Sequence, residues 1–264
     1  MRCGIRDIEW VIAWHSVRSR LCNCERKAHV LSRSEYEGPG LEATKGCRCR
    51  HSHRFCLSDP SFGVASVTSA LLLSGGMDSI SIAFWKRPDA AITINYGQRP
   101  FAGEVNASGA VCAALEIPHH IITCDISALG SGDMAGSAPS QSAPATEWWP
   151  YRNQLLLTLS AMKCHQLGLN TLLIGALRTD GFHADGTSEF ISRMNELFSM
   201  QEGELSVEAP AIGFSASELV HKSKIPMSLL AFAHSCHTAE QACGFCRGCR
   251  KHYETMEDLG ETPY

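Results

Sequence analysis

The feature that most constrains the fold of this chain is a glycine-containing turn between an apolar run and a helical stretch. The run Ala-Leu-Leu-Leu at residues 70–73 is followed by Ser-Gly-Gly-Met-Asp-Ser at residues 74–79. Two adjacent glycines let the backbone adopt positive φ and approach a ligand with no Cβ in the way. The helix that follows begins with unpaired N–H groups and the positive end of its dipole, which favour an anion. The pattern predicts a buried strand, a phosphate-binding turn and a helix.

The side chains of this turn suit a nucleotide phosphate. Ser74 and Ser79 can donate hydroxyl hydrogen bonds to phosphate oxygens, and Asp78 can either cap the helix or hold a magnesium ion. The turn has neither the lysine of a Walker A loop nor the three spaced glycines of a dinucleotide fingerprint. A tight turn in which the glycines serve geometry alone is the simpler interpretation. We favour phosphate binding because the whole string, rather than a bare glycine pair, follows a buried strand.

Four cysteines near the C-terminus have the spacing of a metal site. Cys236, Cys243, Cys246 and Cys249 lie in one short stretch, and the last three form a C-x-x-C-x-x-C pattern. Four thiolates suit tetrahedral zinc and leave no coordination position open, which predicts a structural zinc site. An iron–sulfur cluster is an alternative. Disulfides are a weaker one, because the sequence shows no secretory signal.

The glycine-containing turn resembles the pyrophosphate loop (PP-loop) of ATP pyrophosphatases, which split ATP into AMP and pyrophosphate to activate a carboxylate or carbonyl oxygen. Together with the cysteine quartet, it resembles the 7-cyano-7-deazaguanine synthase (QueC) family. Asn-Tyr-Gly-Gln-Arg at residues 95–99 and Trp-Pro-Tyr-Arg-Asn at residues 149–153 are similar to two further family motifs, and the resemblance covers about residues 66–260. Shorter matches in family order are Ile174-Gly175, Thr179-Asp180, Asp185, Glu189-Phe190, Ala209-Pro210, Ser215 with Glu218, and Ser235-Cys236.

This resemblance implies an ATP-dependent carbon–nitrogen ligase of queuosine-type deazapurine biosynthesis. In the family's reaction, 7-carboxy-7-deazaguanine is adenylated on its carboxylate and ammonia displaces AMP to give an amide. A second ATP activates the amide oxygen, and loss of AMP leaves 7-cyano-7-deazaguanine. Binding the carboxylate beside ATP makes the attack effectively unimolecular. The implied cofactors are ATP, Mg²⁺ and Zn²⁺, and the implied partners are the deazapurine, ammonia and a second copy of the chain in a homodimer.

The resemblance also implies roles for individual residues. Asp78 would position the metal ion, and Arg152 would meet the charge that grows on pyrophosphate. An acidic side chain such as Asp185 can accept hydrogen bonds from the guanine-like amino and ring N–H groups. The predicted nucleotide-binding residues are Leu73, Ser74, Gly75, Gly76, Met77, Asp78 and Ser79. The predicted substrate-binding residues are Gln98, Arg99, Asn153, Asp180 and Asp185.

Two stretches depart from the family pattern. Pro100 stands where the family usually has His, and His-Ala-Asp-Gly-Thr at residues 183–187 stands where the family has Tyr-Pro-Asp-Cys-Arg. An aromatic ring and a guanidinium are therefore absent from the expected substrate wall, and Thr cannot imitate the bidentate clamp of Arg. A related enzyme that transfers its activated carboxylate to another amine, such as a protein terminus, is therefore an alternative.

Composition favours a cytoplasmic enzyme that acts on a small molecule. The 264 residues, 44% of them hydrophobic, can bury one substantial core and a small appendage, and no apolar run is long enough to span a membrane. Residues 1–56 carry 11 basic and 6 acidic residues, whereas residues 57–264 carry 12 basic and 21 acidic ones. This acidic balance argues against a stable nucleic-acid partner. A tRNA-thiolating enzyme and a non-catalytic nucleotide-binding module are further alternatives.

Alternating strand and helix patterns predict a doubly wound α/β domain with a parallel sheet, which in the resembled families is of the adenine nucleotide alpha hydrolase type. Its ligands would bind beyond the carboxyl ends of the strands. We divide the chain into a Cys/His-rich basic extension (1–65), an ATP-binding domain (66–231) and a small zinc-binding subdomain (232–264). The predicted strands are 67–73, 91–95, 120–124 and 171–176, and the predicted helices are 79–86, 101–116, 153–167, 188–200 and 215–222.

Other parts of the sequence support weaker predictions. The N-terminal extension has two C-x-C pairs and nearby histidines, the ligand types of a second metal site, although the spacing matches no familiar zinc module. A loosely folded extension, or a true start downstream near residue 64 or 67, is the alternative. Residues 133–147 are rich in Ser, Ala, Gly and Pro, which predicts a lid or an exposed connection. Scattered histidines such as His252 are expected to be solvated or to cap helices.

Overall fold

The computed structural model of the protein describes residues 67–262, in which five parallel strands form one sheet. Ala70 on the central strand pairs with Ala90 on one side and with Leu172 on the other. The N-terminal extension and its predicted metal site lie outside the described residues. The strands are β1 (Ser69–Leu72), β2 (Ala90–Asn95), β3 (His119–Thr123), β4 (Thr171–Leu173) and β5 (Ser206–Glu208), in the order β3-β2-β1-β4-β5.

Helices occupy most of the connections between these strands, as parallel pairing requires. Residues 133–147 contain turns but no helix or strand. The α-helices of the described part are α1 (Met77–Lys86), α2 (Phe101–Leu115), α3 (Arg152–Leu167), α4 (Ser188–Ser199), α5 (Ala216–Ser223), α6 (Met227–Leu230) and α7 (Arg247–Asp258). Short 3-10 helices are present at Ser127–Leu129, Arg178–Phe182 and Ala184–Gly186.

Local sequence signals explain where several helices begin and end. The hydroxyl of Thr187 caps α4 by accepting a hydrogen bond from the N–H of Phe190. Ser215 and Glu218 form a reciprocal capping box at the start of α5. Helix α3 ends at Gly168, which adopts a φ of 69° in the left-handed region that glycine favours.

Helices pack on both faces of the sheet, which confirms the doubly wound α/β prediction. Successive residues of β1 point to opposite faces. Leu71 therefore joins Ile80 of α1 and Leu219 of α5 in one core, whereas Leu72 joins Leu157 of α3 in the other. A strand buried on both faces appears in the sequence as a continuous apolar run, as β1 does.

All predicted strands and helices are present, and their ends differ from the predicted bounds by at most three residues. One strand and two α-helices were not predicted, namely β5, α6 and α7, and neither were the three short 3-10 helices. The first two are only three and four residues long, so they leave no periodic pattern to recognise. The boundary between residues 231 and 232 stays a prediction. In the described part of the chain, no helix is both long and apolar enough to cross a membrane.

The strand order places a topological switch point beside β1. Strand β2 lies on one side of β1 and β4 lies on the other. The connections that leave β1 and β4 therefore diverge, and a crevice forms beyond the carboxyl ends of these two strands. In open α/β sheets, such a crevice is where ligands bind.

Candidate functional site

A cleft of about 760 Å³ opens at this switch point, and it brings most of the predicted site residues together. Two of the predicted residues do not line the cleft. Gly75 belongs to the loop but is not among the lining residues, and Arg99 is exposed elsewhere on the surface. The substrate contact predicted for Arg99 stays a prediction. The predicted residues that line the cleft are Leu73, Ser74, Gly76, Met77, Asp78, Ser79, Gln98, Arg152, Asn153, Asp180 and Asp185.

The loop after β1 has the backbone geometry of an anion-binding turn. Gly75 adopts a φ of 77°, and a Cβ at this position would lie 2.6 Å from the carbonyl oxygen of Glu104. Gly76 is the N-cap of α1 and provides no side-chain cap, so the first N–H groups of the helix are available to a ligand. The Ser79 hydroxyl donates to the Gly76 carbonyl at 3.0 Å and lies 3.3 Å from the Ser74 hydroxyl.

Lys251, which the sequence analysis did not single out, joins two of the predicted acidic residues. Its Nζ lies 2.8 Å from Asp78 Oδ2 and 3.2 Å from Asp180 Oδ1. Burial raises the pKa of Asp78, and the nearby Lys251 ammonium offsets only part of this rise. Burial by itself would lower the pKa of Lys251, but the carboxylates of Asp78 and Asp180 outweigh this effect and raise it. Because Asp78 lies in the first turn of α1 and pairs with Lys251, the alternative that it caps the helix is wrong.

Arg152 begins α3 and is a half-buried cation that lines the cleft. Burial lowers its pKa, but Tyr96, Asp185 and Glu104 outweigh this effect and raise it. The next residue, Asn153, donates from its side-chain amide to the Asp185 carbonyl at 3.0 Å, and its backbone N–H lies 3.4 Å from Asp185 Oδ2. Asn153 therefore ties the start of α3 to the short helix that carries Asp185.

The amide of Gln98 is largely used inside the protein. Its Oε1 accepts from the Tyr96 N–H at 2.8 Å, and its Nε2 donates to the Ile94 carbonyl at 2.9 Å and to Glu104 Oε2 at 2.8 Å. Both amide hydrogens are therefore occupied. The substrate contact predicted for Gln98 stays a prediction, and the structure adds a second role, which is to hold the Glu104 carboxylate in place.

The stretch that departs from the family pattern forms part of the cleft wall. His183 Nε2 lies 3.1 Å from Glu147 Oε1, and Arg247 Nη1 lies 2.8 Å from the same oxygen. The Arg247 guanidinium also lies 5.1 Å from the centre of the Phe182 ring. The other oxygen of Glu147 is buried and has no hydrogen-bond partner among the described residues. A guanidinium from α7 and a carboxylate from the loop before α3 thus meet at this wall.

The four predicted cysteines come together at the start of α7. All four sulfurs lie within 4.8 Å of one another, with Cys243 and Cys249 at 3.9 Å and Cys236 and Cys246 at 4.0 Å. Four sulfurs at 2.3 Å from one tetrahedral ion lie about 3.8 Å apart, so the arrangement fits a metal ion. The separations are too long for disulfides, whose sulfurs lie about 2 Å apart. The cluster therefore contradicts the disulfide alternative.

Backbone N–H groups donate to several of these sulfurs, which favours the thiolate form, although burial keeps the pKa of Cys246 and Cys249 above the ordinary value. The N–H groups of His237 and Cys249 donate to Cys246 Sγ at 3.3 and 3.4 Å. Burial raises the pKa of Cys243, but hydrogen bonds from the Thr238 hydroxyl and from backbone N–H groups lower it to about 6. Cys246 is also the N-cap of α7. The cysteine cluster therefore lies at the start of the helix that carries Arg247 and Lys251 into the cleft.

One histidine prediction is wrong. His252 is only 4% exposed, and its Nδ1 lies 3.3 Å from the Ser235 hydroxyl. It lines the cleft together with His234 and His237. Burial lowers the pKa of His237 to about 4, and Arg152 acts in the same direction. These imidazoles are brought to the cleft by the cysteine-rich segment, and no local motif in the sequence marks them.

The fold and the cleft define an α/β protein in which a glycine-containing turn lines the cleft and a four-cysteine cluster adjoins it. Within that class the chain belongs to the QueC family, because the sequence profile described as "Queuosine biosynthesis protein QueC" matches residues 68–260. The 7-cyano-7-deazaguanine synthase of Chlorobium chlorochromatii is 30% identical over 212 residues, which cover 72% of this chain and 91% of the relative. That of Methanosarcina barkeri is 26% identical over 216 residues, covering 72% and 93%.

Solved structures with some likeness to the chain were also found. The U34-tRNA thiolase NcsA from Methanococcus maripaludis, with its 4Fe–4S cluster, has a TM-score of 0.44 and 14% identity, covering 74% of this chain and 66% of that one. The NMN synthetase from Francisella tularensis has a TM-score of 0.42 and 15% identity, covering 78% and 82%.

Proposed function

We propose that the protein converts 7-carboxy-7-deazaguanine and ammonia to 7-cyano-7-deazaguanine at the expense of two ATP molecules. One observation carries this proposal, namely that three groups meet in a single cleft. They are the phosphate loop of residues 73–79, Lys251 with its carboxylate partners Asp78 and Asp180, and the wall that contains Asp185. Membership of the QueC family and relatives named 7-cyano-7-deazaguanine synthase support the choice of reaction.

The phosphate loop would bind the triphosphate of ATP. The free N–H groups at the start of α1 and the hydroxyl of Ser74 suit phosphate oxygens. The Ser79 hydroxyl would first have to turn away from the Gly76 carbonyl, to which it donates. Asp78 and Asp180 would hold the Mg²⁺ that accompanies ATP, and this ion would neutralise phosphate charge. Because Lys251 pairs with both carboxylates when the nucleotide is absent, binding would have to move its ammonium from the carboxylates toward the phosphates.

The deazapurine would bind against the opposite wall. Asp185 can accept hydrogen bonds from its guanine-like N–H groups, as carboxylates do from base donors. The unpartnered oxygen of Glu147 is buried and would become a second acceptor only if the side chain turned toward the cleft. Arg152 lines the cleft between this wall and the loop, where its positive charge would stabilise the departing pyrophosphate. Ammonia is the proposed amine, and a homodimer is the proposed assembly.

The ion in the cysteine centre is proposed to be zinc. Four sulfur ligands at near-tetrahedral separations leave no position for substrate, so the ion would hold α7 in place and take no part in the reaction. In the described part of the chain, the only cysteine that lines the cleft is Cys236, and it belongs to this quartet. This arrangement disfavours a tRNA-thiolating enzyme with a reactive cysteine pair beside the nucleotide.

Transfer of the activated carboxylate to a different amine is a second candidate function. It is favoured by one observation, namely that residues 183–187 provide neither the aromatic ring nor the guanidinium that the family has there. Thr187 instead caps α4, and the guanidinium near this wall comes from Arg247. The two candidates differ in the nucleophile, and only the amide formed from ammonia can go on to a nitrile, so product mass separates them.

The adenylation step is tested by exchange of labelled pyrophosphate into ATP in the presence of 7-carboxy-7-deazaguanine. We expect the wild-type protein to catalyse exchange and the Asp78→Asn variant to lose it by about 100-fold or more, because a charge that positions the metal ion and phosphates is removed. Glu257→Gln, an exposed change on α7 away from the cleft, is the control and should keep wild-type exchange. Full exchange in Asp78→Asn would contradict the assignment of the loop.

A further inference from the structure

The proposed reaction, on which this inference rests, releases protons from the amine nitrogen. In the second half-reaction the amide and ATP give pyrophosphate and an imidate joined to AMP, and the amide nitrogen loses one proton. Cleavage of the C–O bond to AMP then gives the nitrile, and the nitrogen loses its second proton. A group in the cleft that accepts these protons would lower the barrier by the usual general-base contribution, about 100-fold or more.

Glu104 is a carboxylate in the cleft that the binding roles described above do not use. It lies in the first turn of α2, and its backbone carbonyl packs against Gly75 of the phosphate loop. Its Oε2 accepts a hydrogen bond from Gln98 Nε2 at 2.8 Å, and the side chain lines the cleft. The backbone of Glu104 thus lies beside the loop that would bind the nucleotide, and its side chain lines the same cleft.

The hydrogen-bond partner of Glu104 distinguishes it from the other deep carboxylates of the cleft. Asp78 and Asp180 pair with the ammonium of Lys251, and Glu147 pairs with the guanidinium of Arg247. Glu104 is instead hydrogen-bonded by the neutral amide of Gln98. An ion-paired carboxylate is a weak base because its partner stabilises the charged form, whereas a carboxylate bonded by an amide keeps more of its basicity.

The surroundings of Glu104 tune this basicity toward neutral pH. Burial raises the pKa of Glu104 to about 7, although the Gln98 hydrogen bond and the charge of Arg152 act in the opposite direction. Two other titratable groups face Glu104, namely the Tyr96 hydroxyl and His234, whose ring lies against the neighbouring Gly103. Burial raises the pKa of Tyr96 and lowers the pKa of His234. At neutral pH both of these groups are uncharged.

We propose that Glu104 is the general base of nitrile formation, a catalytic residue that takes the protons which leave the amide nitrogen. The N–H bond breaks as the Glu104 carboxylate forms an O–H bond, the nitrogen electron pair builds the C–N multiple bond, and AMP leaves with the C–O electron pair. The protonated Glu104 then returns its proton to water at the cleft mouth. Gln98 is the positioning residue that orients the carboxylate.

The test compares wild-type protein with Glu104→Gln, which keeps the size of the side chain and a hydrogen-bonding oxygen. Two reactions are measured on each protein. The first is pyrophosphate exchange with 7-carboxy-7-deazaguanine, which transfers no proton from nitrogen and should be unchanged. The second is conversion of the corresponding 7-amide to the nitrile with ATP, which should fall about 100-fold or more in Glu104→Gln. Glu257→Gln is again the matched control.

The pH profile gives a readout that a purely structural role would not move. Because a protonated carboxyl cannot accept a proton, wild-type nitrile formation should fall as the pH drops below about 7. This acid limb should disappear in Glu104→Gln. Because this assay starts from the amide, no ammonia is needed, and the protonation of ammonia to ammonium does not affect the pH profile.

Each outcome has a distinct meaning. Intact exchange with slow nitrile formation and no acid limb in Glu104→Gln supports the inference. If Glu104→Gln forms the nitrile at the wild-type rate, the inference is overturned. It is also overturned if exchange and nitrile formation fall by the same factor, because Glu104 would then support the loop rather than accept a proton. Absence of both reactions in the wild-type protein would instead refute the proposed function.

Discussion

Replacing Gly75 with alanine is expected to lower activity with ATP by about 100-fold or more. The φ of 77° at this position costs a non-glycine residue about 1–2 kcal/mol, and the new Cβ would lie 2.6 Å from the backbone carbonyl oxygen of Glu104. Because backbone cannot move aside as a flexible side chain can, the loop must shift, and a displacement of about 1 Å at a reacting phosphate costs about 100-fold in rate. Pyrophosphate exchange and thermal unfolding would measure the two effects separately.

Gly168→Ala is the matched control for this change. Gly168 has a similar φ of 69°, but a Cβ there meets no atom within 4 Å. Gly168→Ala should therefore lower the free energy of unfolding by about 1–2 kcal/mol and leave exchange unchanged. Equal activity in Gly75→Ala and Gly168→Ala would show that close packing of the loop against α2 is unimportant, which would contradict this account.

Replacing Cys246 with serine is expected to remove the metal ion and to unfold the C-terminal segment. Serine is a good N-cap residue, so the start of α7 keeps its hydrogen bond, and the change acts mainly on the metal ligand. Structural zinc in small modules contributes about 10–16 kcal/mol to folding, so loss of one ligand from four should release α7. Because α7 brings Lys251 and Arg247 into the cleft, exchange should be lost together with the metal.

Metal content and thermal unfolding measure this effect. The wild-type protein is expected to hold about one zinc ion per chain in this centre, and Cys246→Ser none. Cys124→Ser changes a half-buried thiol that lies outside the quartet, and it should keep both metal and activity. A Cys246→Ser protein that retained its metal and its unfolding temperature would contradict the assignment of the centre.

The sheet and most helices could be predicted because their sequence signals are local. The apolar run of β1 and the turn after it lie within about ten residues, and the caps at Ser215 and Thr187 mark the helices that they begin. Strand β5 could not be predicted, because three residues carry too little pattern and their pairing with β4 depends on packing. Helix α7 is strongly polar, and its position depends on the cysteine centre and on a few core contacts such as Met256.

The site could be predicted where a motif carries it and was missed where distant segments meet. Leu73–Ser79 and the cysteine quartet were identified from short local patterns and from the resemblance that these patterns carry. The structure places all of these loop residues except Gly75 in the cleft lining and brings the four sulfurs together. Lys251 was missed because its partners Asp78 and Asp180 are 173 and 71 residues away along the chain. Glu104 was missed because a single carboxylate in a helix gives no signal until its burial and its Gln98 partner are known.

The measurement that tests the account most directly is the mass of the product formed from 7-carboxy-7-deazaguanine, ATP, Mg²⁺ and isotopically labelled ammonium. The account predicts a nitrile that carries one labelled nitrogen, formed with release of two AMP and two pyrophosphate per turnover. Recovery of unchanged 7-carboxy-7-deazaguanine, with no AMP released, would contradict it.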